Sequence, residues 1–455
     1  MKIKTVGLAT AGLAVIAFAG ATSYSSKVTN QALDEIAIQT AEGKGLISLQ
    51  AIERNASFAR SSGVFDLALD TSCLVGDAEL PELPAQIRYT VAHMPTMAGL
   101  TAYTATLELT GEAKEAFEAI AGQSALLELE GEMGFTGQWA HRSFTPEINF
   151  DQDGLQVTVS ASEGEFQAAR SGQAGAFAWR MPAITMAQAG NTLEFAGITA
   201  TGVIDDMQLG LGKQTIAVDR VDLSGDVPGG TALMSGVRFD YETVASDGRV
   251  STSFQPSVNM VRAVDNTFQD LAVKMEVGGI DEQSLREINQ LTRHQCQAKM
   301  DEAQIAQIEQ AILRIIDRGL SFSISDFKGR QLENSFGGEL ILTLKDRGNG
   351  TDGPVMAMRE RLEVSGELAV SPALVPAQLL DMLVEQNYLQ PNGAVMETSL
   401  ALSDGQLLIN GAPDTHGYGD SIDFFMVMAE DGMSTWHDQI ASGNGPLVML
   451  ARSAR

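Results

Sequence analysis

The sequence predicts an α+β fold rich in strands. One or more extended, twisted antiparallel sheets carry an N-terminal helix, a helical hairpin over about 282–319 and a further helix over about 374–388, packed on the sheet. Three observations predict it. Many segments alternate apolar and polar residues with a period of two, which puts one set of side chains on each face of a sheet. The chain has 45 glycines, and turn dipeptides such as Asp153-Gly154, Gly229-Gly230 and Asp247-Gly248 separate those segments. Between Asp281 and Leu320 the period switches to steps of three and four residues, the mark of amphipathic helices.

The chain begins "MKIKTVGLATAGLAVIAFAGATSYSSK". Behind Lys2 and Lys4, Thr5 to Ser26 carry no charge. At about 1.5 Å per residue that run reaches across a bilayer core of about 30 Å. Ala17-Phe18-Ala19 and Ala19-Gly20-Ala21 also fit a small-x-small cleavage site. Residues 1–26 are therefore either a signal anchor or a cleaved signal peptide, and both export the chain beyond them. Residues 27–411 make the β-rich body, and 412–455 an acidic C-terminal extension.

Val28 to Ala41 reads as a short helix leaving the membrane segment. "GKGLISLQAIERNASF" and "GVFDLALDTSCLV" form a first hairpin, with "ARSSG" as the turn between them. Phe65, Leu67, Leu69 and Cys73 then share the apolar face of the opening strand. From Gln86 to about Gly279 strands dominate, interrupted by one helix at Glu112–Ile120. Leu285, Ile288 and Leu291 stripe the first helix of the hairpin, and Ile305, Ile308, Ile312, Ile315 and Ile316 the second, which Gly319 ends. This isoleucine face is expected to pack on the sheet and cover the apolar side of the opening strand. "ALVPAQLLDMLVEQNYL", with Pro376 near its first turn, is the last helix, and "METSLALSDGQLLING" a closing hairpin.

The formal net charge of −28 argues against nucleic acid, because such a surface repels phosphate. No metalloprotease, serine-hydrolase, P-loop or paired C-x-x-C pattern is present. Asp414, His416, Asp420 and Asp423 could ligate a cation, but the common reading is an acidic loop with a chance histidine. Asp151 and Asp153 resemble the start of a calcium loop, yet strand residues come immediately after, so a hairpin turn is expected. Glu128, Glu130 and Glu132 alternate along a strand and form a solvated face. His294 and Cys296, two apart on a helix, cannot share one metal well. Cys73 and Cys296 are the only cysteines; an oxidising compartment would allow one bridge, and the alternative is two free thiols. No catalytic, cofactor or metal site is expected. Phe65, Leu67, Leu69, Ile305, Ile308, Ile312 and Ile315 are expected to line either a closed core or an apolar groove.

The order of these pieces resembles the YdgA-like family of Gram-negative envelope proteins, a group of unknown function. Four pieces carry the resemblance: the lysine-flanked N-terminus, "FARSSGVFDLALD", "LAVKMEVGGIDEQSLREINQL" and "LLDMLVEQNYLQPNGAVMETSLALSDGQLLINGAP". It implies an uncleaved inner-membrane anchor with a periplasmic body. Two departures stand out: the two serines between Arg60 and Gly63 lengthen the family's Arg-Gly step, and the tail beyond Ala412 has no counterpart. The expectation is a non-enzymatic protein with a structural, assembly or envelope-maintenance role, able to self-associate through open sheet edges. The other reading is a lipid-binding or lipid-transfer protein with an apolar β-sheet trough, by architectural analogy with AsmA-type proteins.

Overall fold

The computed structural model describes residues 47–69, 84–93, 99–169, 173–225, 230–264, 266–292, 300–346, 361–403 and 406–414. The N-terminal segment, the helix expected at Val28–Ala41, both cysteines, and all of the tail beyond Asp414 lie outside them. Within them are twenty-two strands and four α-helices. The fold is α+β and β-rich, with open antiparallel sheet rather than a barrel, as the alternation predicts.

Two compact units divide the described chain, one running to Ala189 with Gly197–Asp205, the other holding Gly190–Ala196, Asp206–Thr292 and the residues from Met300 onward. The first contains β1 (Ile47–Ala56), β2 (Arg60–Leu69), β3 (Ala85–Ala92), β4 (Thr101–Leu109), α1 (Gly111–Ala121), β5 (Ala125–Met133) and β6 (Trp139–Thr145). It continues with β7 (Ile148–Gln152), β8 (Leu155–Val159), β9 (Ser162–Ala168) and β10 (Gly175–Gln188). β1 to β6 pair in sequence order; β6 then pairs β9, and β10 pairs β9 through its first half and β8 through its second. β11 (Asn191–Asp206) gives residues to both units.

The second unit is a long meander: β12 (Leu211–Ser224), β13 (Ala232–Ser246), β14 (Arg249–Ala263), β15 (Asn266–Asp281), α2 (Glu282–Thr292) and α3 (Glu302–Asp317). Next come β16 (Leu320–Gln331), β17 (Asn334–Leu344), β18 (Leu362–Val370), α4 (Ala377–Glu385), β19 (Gln390–Asn392), β20 (Val395–Ser403), β21 (Gln406–Ile409) and β22 (Ala412–Pro413). β12 through β18 pair in order, and β18 then pairs β20.

The opening hairpin differs from expectation in where it turns. Its tip is Ser57–Ala59, closed by the Ser57 hydroxyl donating to the Arg60 carbonyl at 2.8 Å, so Arg60, Ser61 and Ser62 already belong to β2. The extra serines thus extend a strand rather than a turn. Ser61 is fully buried, and its Oγ lies 2.7 Å from Nε2 of the fully buried His93.

The helical hairpin is fixed to its sheet by charge. Asp301 and Gln304 close α3 with a reciprocal capping box. At the other end of α3, Arg361 donates to the carbonyls of Ile316 (2.8 Å) and Asp317 (3.3 Å), and to that of Lys345 (2.9 Å). A cation there satisfies orphan carbonyls and complements the helix dipole. Buried Asp281 ends β15 and caps α2, accepting from the Ser284 amide (3.0 Å) and hydroxyl (2.7 Å) and pairing with Arg318. Desolvation is the largest single influence on its carboxyl and pushes the pKa up, but Ser284 and Arg318 together outweigh it and hold it below the usual range. Arg249 donates to the carbonyls of Gly279 (2.8 Å) and Gly319 (3.2 Å), joining β14 to both strands that flank the hairpin.

Two stability measurements test these buried polar groups. Burial holds the His93 imidazole below its ordinary 6.5, so the folded chain keeps it neutral while the unfolded chain takes up a proton. Its contribution is complete above 6.5 and is lost as pH falls through that value toward the depressed folded pKa. Urea unfolding midpoints should fall on acidification in the wild type and less in His93→Phe. Replacing Asp281 by Ala removes a cap and strands Arg318, and should cost about 1–3 kcal/mol.

Candidate apolar binding face

The register of the second unit puts its apolar residues on one face. Cross-strand partners point the same way. Ile216 of β12 pairs Phe239 of β13, which pairs Pro256 of β14, while Tyr241 pairs Phe254. Phe254 pairs Met275 of β15, and Met275 pairs Ile324 of β16; beside them Val277 pairs Phe322. Phe322 and Ile324 pair Leu342 and Leu340 of β17; Leu342 pairs Val364 of β18, and Val364 pairs Leu402 of β20. Stepping between adjacent rows, apolar side chains run from β12 to β20, with Gln214 opposite Tyr241 and Thr252 opposite Val277 among them. Phe239 and Phe254 stack at 6.0 Å on this face.

The other face is mostly polar, with Ile341 and Val244 as apolar exceptions. Thr215, Asp240 and Gln255 form one row across it, and Ser253, Glu276, Ser323 and Ile341 another. Asp240 accepts from Thr215 (2.6 Å) and Arg238 (2.6 Å), and the Arg238 hydrogen bond is the chief reason its carboxyl lies below the usual range. Lys274–Glu276 (3.0 Å) and Lys345–Glu363 (2.6 Å) add ion pairs. Such a sheet places one face in water and needs something apolar on the other.

Among the described residues no second layer covers the middle of the apolar face. Ile216 remains 50% exposed, Phe239 and Phe254 37%, Val277 38% and Phe322 36%. The helical hairpin contacts β15 but buries its isoleucines largely in itself: Ile305 and Ile308 cluster with Met300, and Ile288, Leu291, Ala306 and Ile312 pack on them. Ile315 is half-buried. Phe65 belongs to a different cluster, with Tyr89 and Val91, packed by Leu49, Ile87, Tyr103 and Ala105. Phe65 stacks on Tyr89 at 5.3 Å; Leu67 is half-buried and the side chain of Leu69 lies outside the described residues. Of the seven residues expected to line one core or groove, Phe65 thus belongs to one cluster and Ile305, Ile308 and Ile312 to another.

The uncovered residues were not singled out in the sequence, although alternation in "SFSISDF" and "VSTSFQPSVNM" marks their strands. Alternation reveals which side chains share a face; it carries no information on what covers it. Ser61 and His93 were likewise missed, being thirty-two residues apart.

The other candidates resolve simply. Asp153 (φ 52°) and Gly154 (φ 78°) make the expected hairpin turn. Glu128 and Glu130 are exposed and Glu132 half-buried. His141 stacks on Phe166 at 4.9 Å, and burial lowers its pKa. Burial also pushes the Tyr103 hydroxyl up to about 12. Among the described residues no group of three His, Cys, Asp or Glu side chains could hold a metal ion, and no helix is long and apolar enough to cross a membrane. His294, His416, His437, Cys73 and Cys296 lie outside them.

The two clusters imply a mutational contrast. Phe65→Ala should destabilise the chain by about 3–5 kcal/mol, the usual cost of emptying a core site. Phe322→Ala should cost less, roughly 1–2 kcal/mol, since about a third of its surface is already exposed. Chemical denaturation of both variants measures the difference.

No curated protein and no solved structure matches this chain. Residues 1–414 match the family described as a bacterial protein of unknown function (DUF945).

Proposed function

We propose, for a chain that belongs to this bacterial family of unknown function, that the uncovered apolar face of the second unit holds the acyl chains of lipids. The protein is then a non-enzymatic lipid carrier of the cell envelope. The observation that carries this reading is the apolar surface from Ile216 to Leu402, whose central side chains stay more than a third exposed among the described residues. Water against that surface is unfavourable by about 25 cal/mol per Å², and each acyl methylene it removes from water gains about 0.8 kcal/mol. An extended sheet face offers a linear chain a matching linear contact and asks for no specific hydrogen bond.

The sequence supports the setting. The YdgA-like resemblance and the lysine-flanked apolar N-terminus favour an inner-membrane anchor with a periplasmic body, and the strongly acidic surface disfavours nucleic acid. A second copy of the chain laid on the same face would instead give a structural or assembly role.

Photo-crosslinking separates these readings. Full-length protein made in cells fed a fatty acid with a photoactivatable acyl chain should yield lipid adducts on peptides holding Phe239, Phe254 and Phe322. Phe322→Asp should lower them several-fold, while Ser323→Asp, on the polar face, leaves them unchanged. Adducts confined to residues 1–26, or protein–protein adducts at Phe322, would overturn the carrier reading. The anchor has its own test: the membrane-bound protein should retain Met1 or Lys2, and a mature N-terminus at Gly20 or Thr22 would refute it.

A further inference from the structure

Four two-residue turns of this chain share one pattern. Asp153-Gly154, Ala189-Gly190, Asp247-Gly248 and Asn410-Gly411 each place a small residue and then glycine at positive φ, between 51° and 82°. Asp, Asn and Gly enter the left-handed region at least cost, and a short side chain loses little by ending in water. The β14–β15 turn, between Ala263 and Asn266, instead has Val264 at φ 52°, and the β16–β17 turn has Leu332 at φ 56° followed by Glu333. Branched and bulky residues are the worst choices for that backbone. Neither side chain recovers the cost by packing, since Val264 is 59% and Leu332 80% exposed.

The meander puts both tips at one end of the sheet, two strands apart, or about 10 Å. The β18–β20 connection emerges at that end too, and it carries α4. No residue of α4 is buried, and Leu379, Met382 and Val384 are each more than 40% exposed. Leu379 and Met382, three residues apart, share one flank of that helix, and Val384 lies on the other, with Asp381 and Glu385 between them. The other end of the sheet is polar, with Asp247-Gly248, the capped helical hairpin and the Arg249 and Arg361 ties. The apolar face runs out to the apolar end: Phe336 pairs Val370 there and packs on Phe327 at 5.4 Å.

We infer that the end bearing Val264, Leu332 and α4 inserts shallowly into the surface of a lipid bilayer. Val264 and Leu332, each exposed at a tip and followed by an acidic residue, and Leu379 with Met382 on one flank of α4, gather at one sheet end and suit the interfacial zone of a bilayer, where apolar side chains enter and charged neighbours stay in water. The chain's net charge of −28 means that insertion is driven by apolar contact rather than attraction to anionic headgroups, so added salt should not weaken it. A lipid leaving the bilayer would meet the apolar face directly. That role rests on the lipid-carrier reading, whereas the contact itself does not.

The test uses full-length protein reconstituted in phosphatidylethanolamine–phosphatidylglycerol vesicles whose acyl chains are brominated near their middle. Leu332→Trp reports the apolar end and Asp247→Trp the polar end, each read as the difference from wild type. Tryptophan at 332 should be blue-shifted and quenched roughly two-fold or more beyond tryptophan at 247, at low and high salt. Equal quenching at the two positions overturns the contact, as does a difference that high salt abolishes. Acyl-chain photo-adducts on the apolar face are scored on the same variants. Quenching at 332 without adducts on the face keeps the contact and removes the carrier; adducts without quenching at 332 remove the contact.

Discussion

Cross-strand register across the second unit is the constraint on which the rest depends. In an antiparallel sheet each residue points the same way as its partner, and a slip of one position would move every apolar side chain to the other face. From Ile216 to Leu402 most partners are apolar with apolar, with Gln214 opposite Tyr241 and Thr252 opposite Val277 as exceptions, and Asp240 or Glu276 falls on the reverse. Bulges interrupt β15 and β16 near Asp270 and Asp326, both at positive φ, yet Phe327 and Phe336 still meet beyond them. The bulges therefore bend the ladder without mixing the faces.

This register makes a strongly two-sided sheet, and the rest of the unit stabilises it from one end. The hairpin of α2 and α3 is tied at that end by charged groups acting on backbone carbonyls and caps. Asp281 receives Ser284 and Arg318, Arg361 binds the last carbonyls of α3, and Arg249 reaches Gly279 and Gly319. Little of this depends on covering the apolar face. The unit is thus tied at one end by contacts that, among the described residues, leave the middle of that face more than a third exposed.

Much of the fold was legible in the chain. The alternating segments became strands, "EAKEAFEAI" became α1, and the isoleucine steps became α3, because periodicity reports a local preference that tertiary packing did not override. The opening turn was misplaced: Ser57 closes it, and the glycine of "ARSSG" lies inside β2, where Tyr89 packs tightly against it. Glycine there permits close approach rather than a turn, which composition alone does not distinguish. The final "NG" shows the converse. Asn410 at φ 51° donates to the Asn387 carbonyl (2.7 Å) and accepts from the Ser399 amide (2.8 Å), so a turn signal also joins the helix exit to the closing hairpin.

What the sequence determined by itself was the set of strands and helices and which side chains share a face, since both depend on spacing along one chain. Tertiary structure alone decided what each face meets. The isoleucines of α3 turned to Met300 and Ile288 in their own hairpin, Phe65 to Tyr89 and Val91, while Phe322 stayed about a third exposed. Burial depends on contacts between distant segments, and an apolar residue reads the same in sequence whether its partner is another part of the chain or a molecule outside it.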